Sequence, residues 1–186
     1  MSGWQTSLPF GTADPSSLVI ETVAPEVSTW LQPGYQIVRV NGLGITSIDQ
    51  VEKVVRSTTD LTDESVIEAD IAYRKDEGGP LFQEKVQLEV VREIALLNGT
   101  RFQVRQIDGA WKTIATNGSG TSEASILVGD EIVSYIRSNQ LIDGPNTLLD
   151  LFKGELEAGQ TSFNFAVLRD GTTWLASLSY EAENAD

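Results

Sequence analysis

Apolar and polar positions alternate over several short stretches of the chain, and the alternation predicts strands. Residues 18–23, Leu-Val-Ile-Glu-Thr-Val, have the β-branched content of a strand and stop at Pro25. Residues 35–40 set Ile37 and Arg39 between Val38 and Val40, as a half-buried strand requires. Two longer strands are predicted over 66–73 and 82–91, joined by the polar turn 76–80. Helical spacing appears between them: Ile48, Val51, Val54 and Val55 share one face, with Ser47 placed as an N-cap and 57–60 as the close. A further short helix is expected over 26–31, stopped by Pro33-Gly34.

The second half has the same rhythm. Residues 102–106 and 111–115 read as strands around Asp108-Gly109, the strongest hairpin signal in the chain. Residues 117–122 read as a flexible loop. Gly144-Pro145-Asn146 opens a helix whose apolar face carries Leu148, Leu149, Phe152 and Leu156, and Gly159 ends it. Strands over 163–168 and 174–178 pair across 169–172. Residues 93–97 form a short, apolar joint between the halves.

The rhythm repeats because the residues do. Gly34 opens Gly34-Tyr35-Gln36-Ile37-Val38-Arg39-Val40-Asn41-Gly42, and 95 positions on Gly129 opens Gly129-Asp130-Glu131-Ile132-Val133-Ser134-Tyr135. Arg74 and Arg169 stand at the same spacing near the end of each half. With the glycine, an aspartate (Tyr35 in the first copy), an apolar strand, Asn-Gly (in the first copy; Ile136-Arg137-Ser138 stands there in the second), a short helix and a strand ending in Arg, both halves resemble PDZ domains. The resemblance covers nearly the whole chain, as domains over 5–92 and 94–181. It implies an α+β fold of two PDZ-like partly open β-barrels or sandwiches, each with one or two short helices.

A PDZ-like unit implies a peptide groove, where a partner segment adds a strand to a sheet edge beside a helix. In the first copy the resemblance puts the binding loop at Leu8, Pro9, Phe10 and Gly11 and the helix wall at Val51, Val54 and Val55. In the second it puts the loop at Gly99, Thr100, Arg101 and Phe102 and the wall at Leu148, Leu149 and Phe152. Pro9 has no N–H, so the first loop lacks one amide for a terminal carboxylate, whereas Arg101 adds a cation to the second. Gly42-Leu43-Gly44-Ile45 imitates the carboxylate loop but follows the 37–41 strand, where an ordinary turn belongs.

Composition narrows the chemistry. With 13 basic and 27 acidic side chains the formal charge is −14, which disfavours nucleic acid and anionic lipid as partners. Histidine and cysteine are both absent, which leaves no Ser-His-Asp triad, no thiol nucleophile and none of the usual ligands of catalytic zinc. Lys53, Lys75, Lys85, Lys112 and Lys153 read as solvated. The acids at 60–64 and the oxygens at 117–123 lack the register of a calcium loop, and Gly118-Ser119-Gly120 lacks the third glycine of a dinucleotide loop. No cofactor is expected, and no apolar run reaches the 18 or so residues that span a bilayer.

The expected function is therefore a non-enzymatic bacterial scaffold, a tandem PDZ-like module binding an extended apolar or C-terminal segment of a protein partner. The alternatives are a regulatory PDZ pair belonging to a membrane-associated or periplasmic protease, and a self-assembling structural repeat. Either a periplasmic or a membrane-anchored parent protein fits.

Overall fold

The computed structural model describes residues 2–24 and 30–180. The chain forms two compact units, Gln5–Val90 and the residues from Val91 onward together with those before Gln5. The regular structure is mostly antiparallel sheet, with two short helices, which is an α+β architecture. The expected barrels do not close among the described residues. Strand order runs linearly to the edge strands, so no strand returns to pair with the first.

The first unit contains the end of β1 (Ser2–Ser7), then β2 (Phe10–Thr12), β3 (Ile20–Val23), β4 (Gln36–Val40), β5 (Leu43–Gly44), α1 (Asp49–Thr58), β6 (Val66–Arg74) and the start of β7 (Phe82–Ala95). Asn41 and Gly42, both at positive φ, make the tight turn from β4 to β5, which is the ordinary turn expected there. On β6, Ile67, Ala69, Ile71 and Tyr73 are buried while their neighbours are not, so the period of two selects the core face. Helix α1 seals that face with Val51 and Val55, both fully buried. Its acidic first turn and Arg56 in the last turn suit the helix dipole, and Arg56 also pairs with Glu52 at 3.1 Å.

Two local expectations change. Ser47 is not the cap of α1; the helix begins after Ile48 without a side-chain cap. Gln50 closes the entry instead, accepting from Thr46 N–H at 2.8 Å and donating to Thr46 Oγ1 at 3.1 Å. The helix expected over 26–31 falls mostly at 25–29, outside the described residues.

The second unit continues β7 and adds β8 (Arg101–Ile107), β9 (Ala110–Asn117), β10 (Glu131–Tyr135), β11 (Gln140–Leu141), α2 (Thr147–Glu157), β12 (Ser162–Arg169) and β13 (Thr172–Ser179). Asp108-Gly109 forms the expected hairpin. Phe102, Tyr135, Phe152, Phe163 and Phe165 fill the core, with Phe152 meeting Phe163 edge-on at 5.1 Å and 81°. The joint expected over 93–97 is strand up to Ala95, and Ile94 and Leu96 are buried in the core of this unit. The loop after β9 is pinned: Ser119 N–H donates to Ile126 O at 2.9 Å, and Ser119 Oγ donates to Ser177 O at 3.0 Å. A Cβ at Gly118 would stand 2.5 Å from Ile126 O, so only glycine fits there.

The two units repeat one backbone plan. Gly34 and Gly129 both have φ near +90°. In each unit the glycine N–H donates to a strand carbonyl, Ile20 O or Ala115 O, and that residue's N–H donates back to the carbonyl of Tyr35 or Asp130. Bridges Val19↔Gln36 and Ile114↔Glu131 match, and the ladders of β4 with β6 and β10 with β12 each skip one residue, Val38 and Val133.

The register corrects one sequence pairing, however. Gln36 faces Arg74, whereas Glu131 faces Leu168, so Arg169 corresponds to Lys75 and not to Arg74. By the same register Phe82, opposite Tyr73, corresponds to Trp174, opposite Val167.

Candidate functional site

A peptide that adds to a sheet needs an edge with unsatisfied backbone groups. In the first unit β2 pairs with β3 alone among the described strands, in the register Phe10↔Val23 and Gly11↔Thr22. Ala24 N–H donates to Pro9 O at 2.8 Å, which makes Pro9 and Ala24 a hydrogen-bonded pair. Antiparallel ladders alternate, so Phe10 turns its N–H and C=O away from β3. Gly11 allows the close approach of β3, since a Cβ there would lie 2.7 Å from Thr22 Oγ1. The Phe10 side chain is buried and Leu8 and Pro9 are half-buried.

The expected helix wall divides. Val51 and Val55 are committed to the core, leaving half-buried Val54 as the residue able to meet a ligand.

In the second unit the corresponding edge is engaged. Strand β8 pairs with β9 along its length and, over Arg101–Val104, with β7 on its other side. The loop amides are also in use: Gly99 N–H donates to Leu96 O at 3.0 Å, and Thr100 N–H to Asn98 Oδ1 at 3.0 Å. Arg101 lies 3.9 Å from Glu93, both side chains being solvent-accessible. Phe102, Leu148 and Phe152 are fully buried, and Leu149 is half-buried against the core. The Thr100 hydroxyl is buried without a hydrogen-bond partner.

A feature not anticipated from sequence lies on the first unit. Arg39, Gly42, Asp70, Ala72, Leu81, Phe82 and Gln83 line a shallow groove of about 170 Å³. Its signal in the sequence was a basic residue at the exposed position of β4, Arg39, and another at the end of β6, Arg74, in a strongly acidic chain. Next to it, Trp30, Tyr35 and Phe82 stack around buried Tyr73, and Lys75 Nζ rests 4.6 Å from the Phe82 ring.

The second unit holds a buried ion pair where the first holds that aromatic group. Arg169 Nε donates to Asp130 Oδ1 and Nη2 to Oδ2, both at 2.7 Å, while further N–H groups donate to Glu123 O and Ser125 O. Asp130 is fully buried. The carboxylate raises the Arg169 guanidinium above its already high range. Its role is to tie the 123–130 loop to β12.

No group of three or more metal-ligating side chains occurs among the described residues, and no described helix is long and apolar enough to cross a membrane. No family model and no curated protein matches the chain.

Proposed function

We propose that the chain is a non-enzymatic tandem PDZ-like interaction module, in which the first unit binds an extended apolar segment of a partner protein as a strand added to β2. The glycine-led strand, helix and following strand of each unit support the PDZ-like reading. One observation carries the choice of unit: β2 is paired on one side among the described strands, whereas β8 is paired on both sides over Arg101–Val104. Pro9 supplies no N–H, so recognition rests on ladder bonds at Phe10 and on Val54, not on a terminal carboxylate.

The test uses the full chain and hexapeptides of alternating apolar and polar residues, each as free acid and as amide. Binding should protect the Phe10 amide from hydrogen exchange, leave residues 101–104 unchanged, and differ little between acid and amide. Val54→Glu should abolish it. Protection at 101–104, or strong preference for the free acid, would reverse the assignment of the units.

A further inference from the structure

We propose that the outer face of β4 and β6 in the first unit is a second binding site, for a partner segment in which a single carboxylate lies beside an apolar side chain. This site is independent of strand addition at β2. Alternation along β6 puts Asp70, Ala72 and Arg74 on the face opposite buried Ile71 and Tyr73. Arg39 is directly across from Ala72 on β4, and Gln83 is across from it on β7. Small Ala72 therefore floors the groove, with Arg39 on one side and half-exposed Leu81 at its end.

Two arginines on this face want acceptors. Arg39 is exposed and makes no hydrogen bond or ion pair with a described residue, and the Nε of Arg74 is buried with no acceptor. A buried donor left unsatisfied favours any ligand that supplies the missing oxygen. The second unit shows that these cations are not part of the shared plan, because its equivalent positions are Ser134 and Leu168.

Asp70 narrows the occupant. Asp70 lines the same groove and makes no ion pair with a described residue, so its charge repels a multiply charged anion such as phosphate while offering an acceptor to a peptide N–H next to the bound carboxylate. The formal charge of −14 opposes a strongly acidic partner at long range, which again selects one carboxylate with an apolar neighbour for Leu81.

The experiment titrates isotopically labelled full-length chain with acetyl-Gly-Leu-Glu-Gly amide, its Gln counterpart, and inorganic phosphate, followed by NMR. The Glu peptide should shift Arg39, Ala72, Gln83 and the Arg74 Hε signal saturably, with the Gln peptide about fivefold weaker or worse. Arg39→Gln, an exposed change that leaves the core intact, should weaken the Glu peptide by a similar factor, as should Arg74→Gln. Leu81→Ala should bring the Glu peptide down to the affinity of acetyl-Gly-Gly-Glu-Gly amide, titrated alongside it. Equal response to Glu and Gln peptides, equal response to phosphate, or no saturable shift on this face would each overturn the proposal, whatever happens at Phe10.

Discussion

The same corner of the fold is built two ways. In the second unit a buried carboxylate, Asp130, grips Arg169 by two 2.7 Å hydrogen bonds, with Trp174 stacked 5.3 Å from the guanidinium. In the first, Tyr35 takes the aspartate's place, Lys75 takes the arginine's, and Phe82 takes the tryptophan's, so a cation over rings replaces an ion pair. What survives the exchange is a cation at the end of the strand and a ring beneath it. What changes is the anchoring of the preceding loop: Arg169 also bonds two loop carbonyls, and an ammonium lacks the planar fork to do the same.

Removing Asp130 should break this comparison hardest. Asp130→Ala leaves Arg169 largely buried and without its carboxylate, at a cost of about 3–5 kcal/mol to the second unit. Urea titration of the full chain, followed by NMR signals from each unit, should show early melting of the second unit with the first unmoved. A cost below about 1 kcal/mol would mean that water replaces the carboxylate.

The matched pair Ile37→Ala and Ile132→Ala asks whether the shared plan has shared energetics. Both side chains are fully buried at equivalent positions, and each truncation should cost about 2–5 kcal/mol in its own unit. A large difference between them would mean that one core collapses around the cavity and the other does not.

Alkaline pH should weaken both units through different tyrosines. Burial, aided by the Glu155 carboxylate that accepts a hydrogen bond from its hydroxyl, raises Tyr135 above the usual 10.0, and burial with nearby Glu84 raises Tyr73. Folded tyrosines hold their protons where unfolded ones lose them, so stability is intact below pH 10 and declines as pH rises from there through the folded values. Tyr135→Phe should flatten that decline in the second unit only, as read from denaturation at several pH values.

The smallest effect belongs to Lys75→Gln. An exposed cation over a ring contributes about 0.5–1 kcal/mol, well under the cost of losing Asp130. Thermal melting that shows equal losses for the two variants would contradict the distinction between the corners.

Much of this architecture was legible in the spacing of residues. The glycine-led strands and the Asp108-Gly109 hairpin sit where turn chemistry and alternation place them, because those signals are local. The pairing of Arg74 with Arg169 misled by one position. From Val40 to its partner strand the chain is one residue longer than from Tyr135 to its own, and a constant offset cannot register a single deletion. In a strand one residue is the whole difference between faces, so Arg74 points outward while Arg169 points in. The engagement of β8 was hidden for another reason. Residues 93–97 are apolar whether they form a linker or a strand, and only the pairing Arg92↔Val104 to Ala95↔Arg101 reveals which.

The shortness of β2 has a kinetic meaning. An edge of three residues, of which Phe10 turns its amide outward, can zip few ladder bonds with an added strand. Affinity differences among related complexes reside mainly in dissociation, and a partner held by so few backbone bonds leaves quickly. A module built this way samples partners by rapid exchange, and lasting occupancy would come from several weak contacts made at once along one chain.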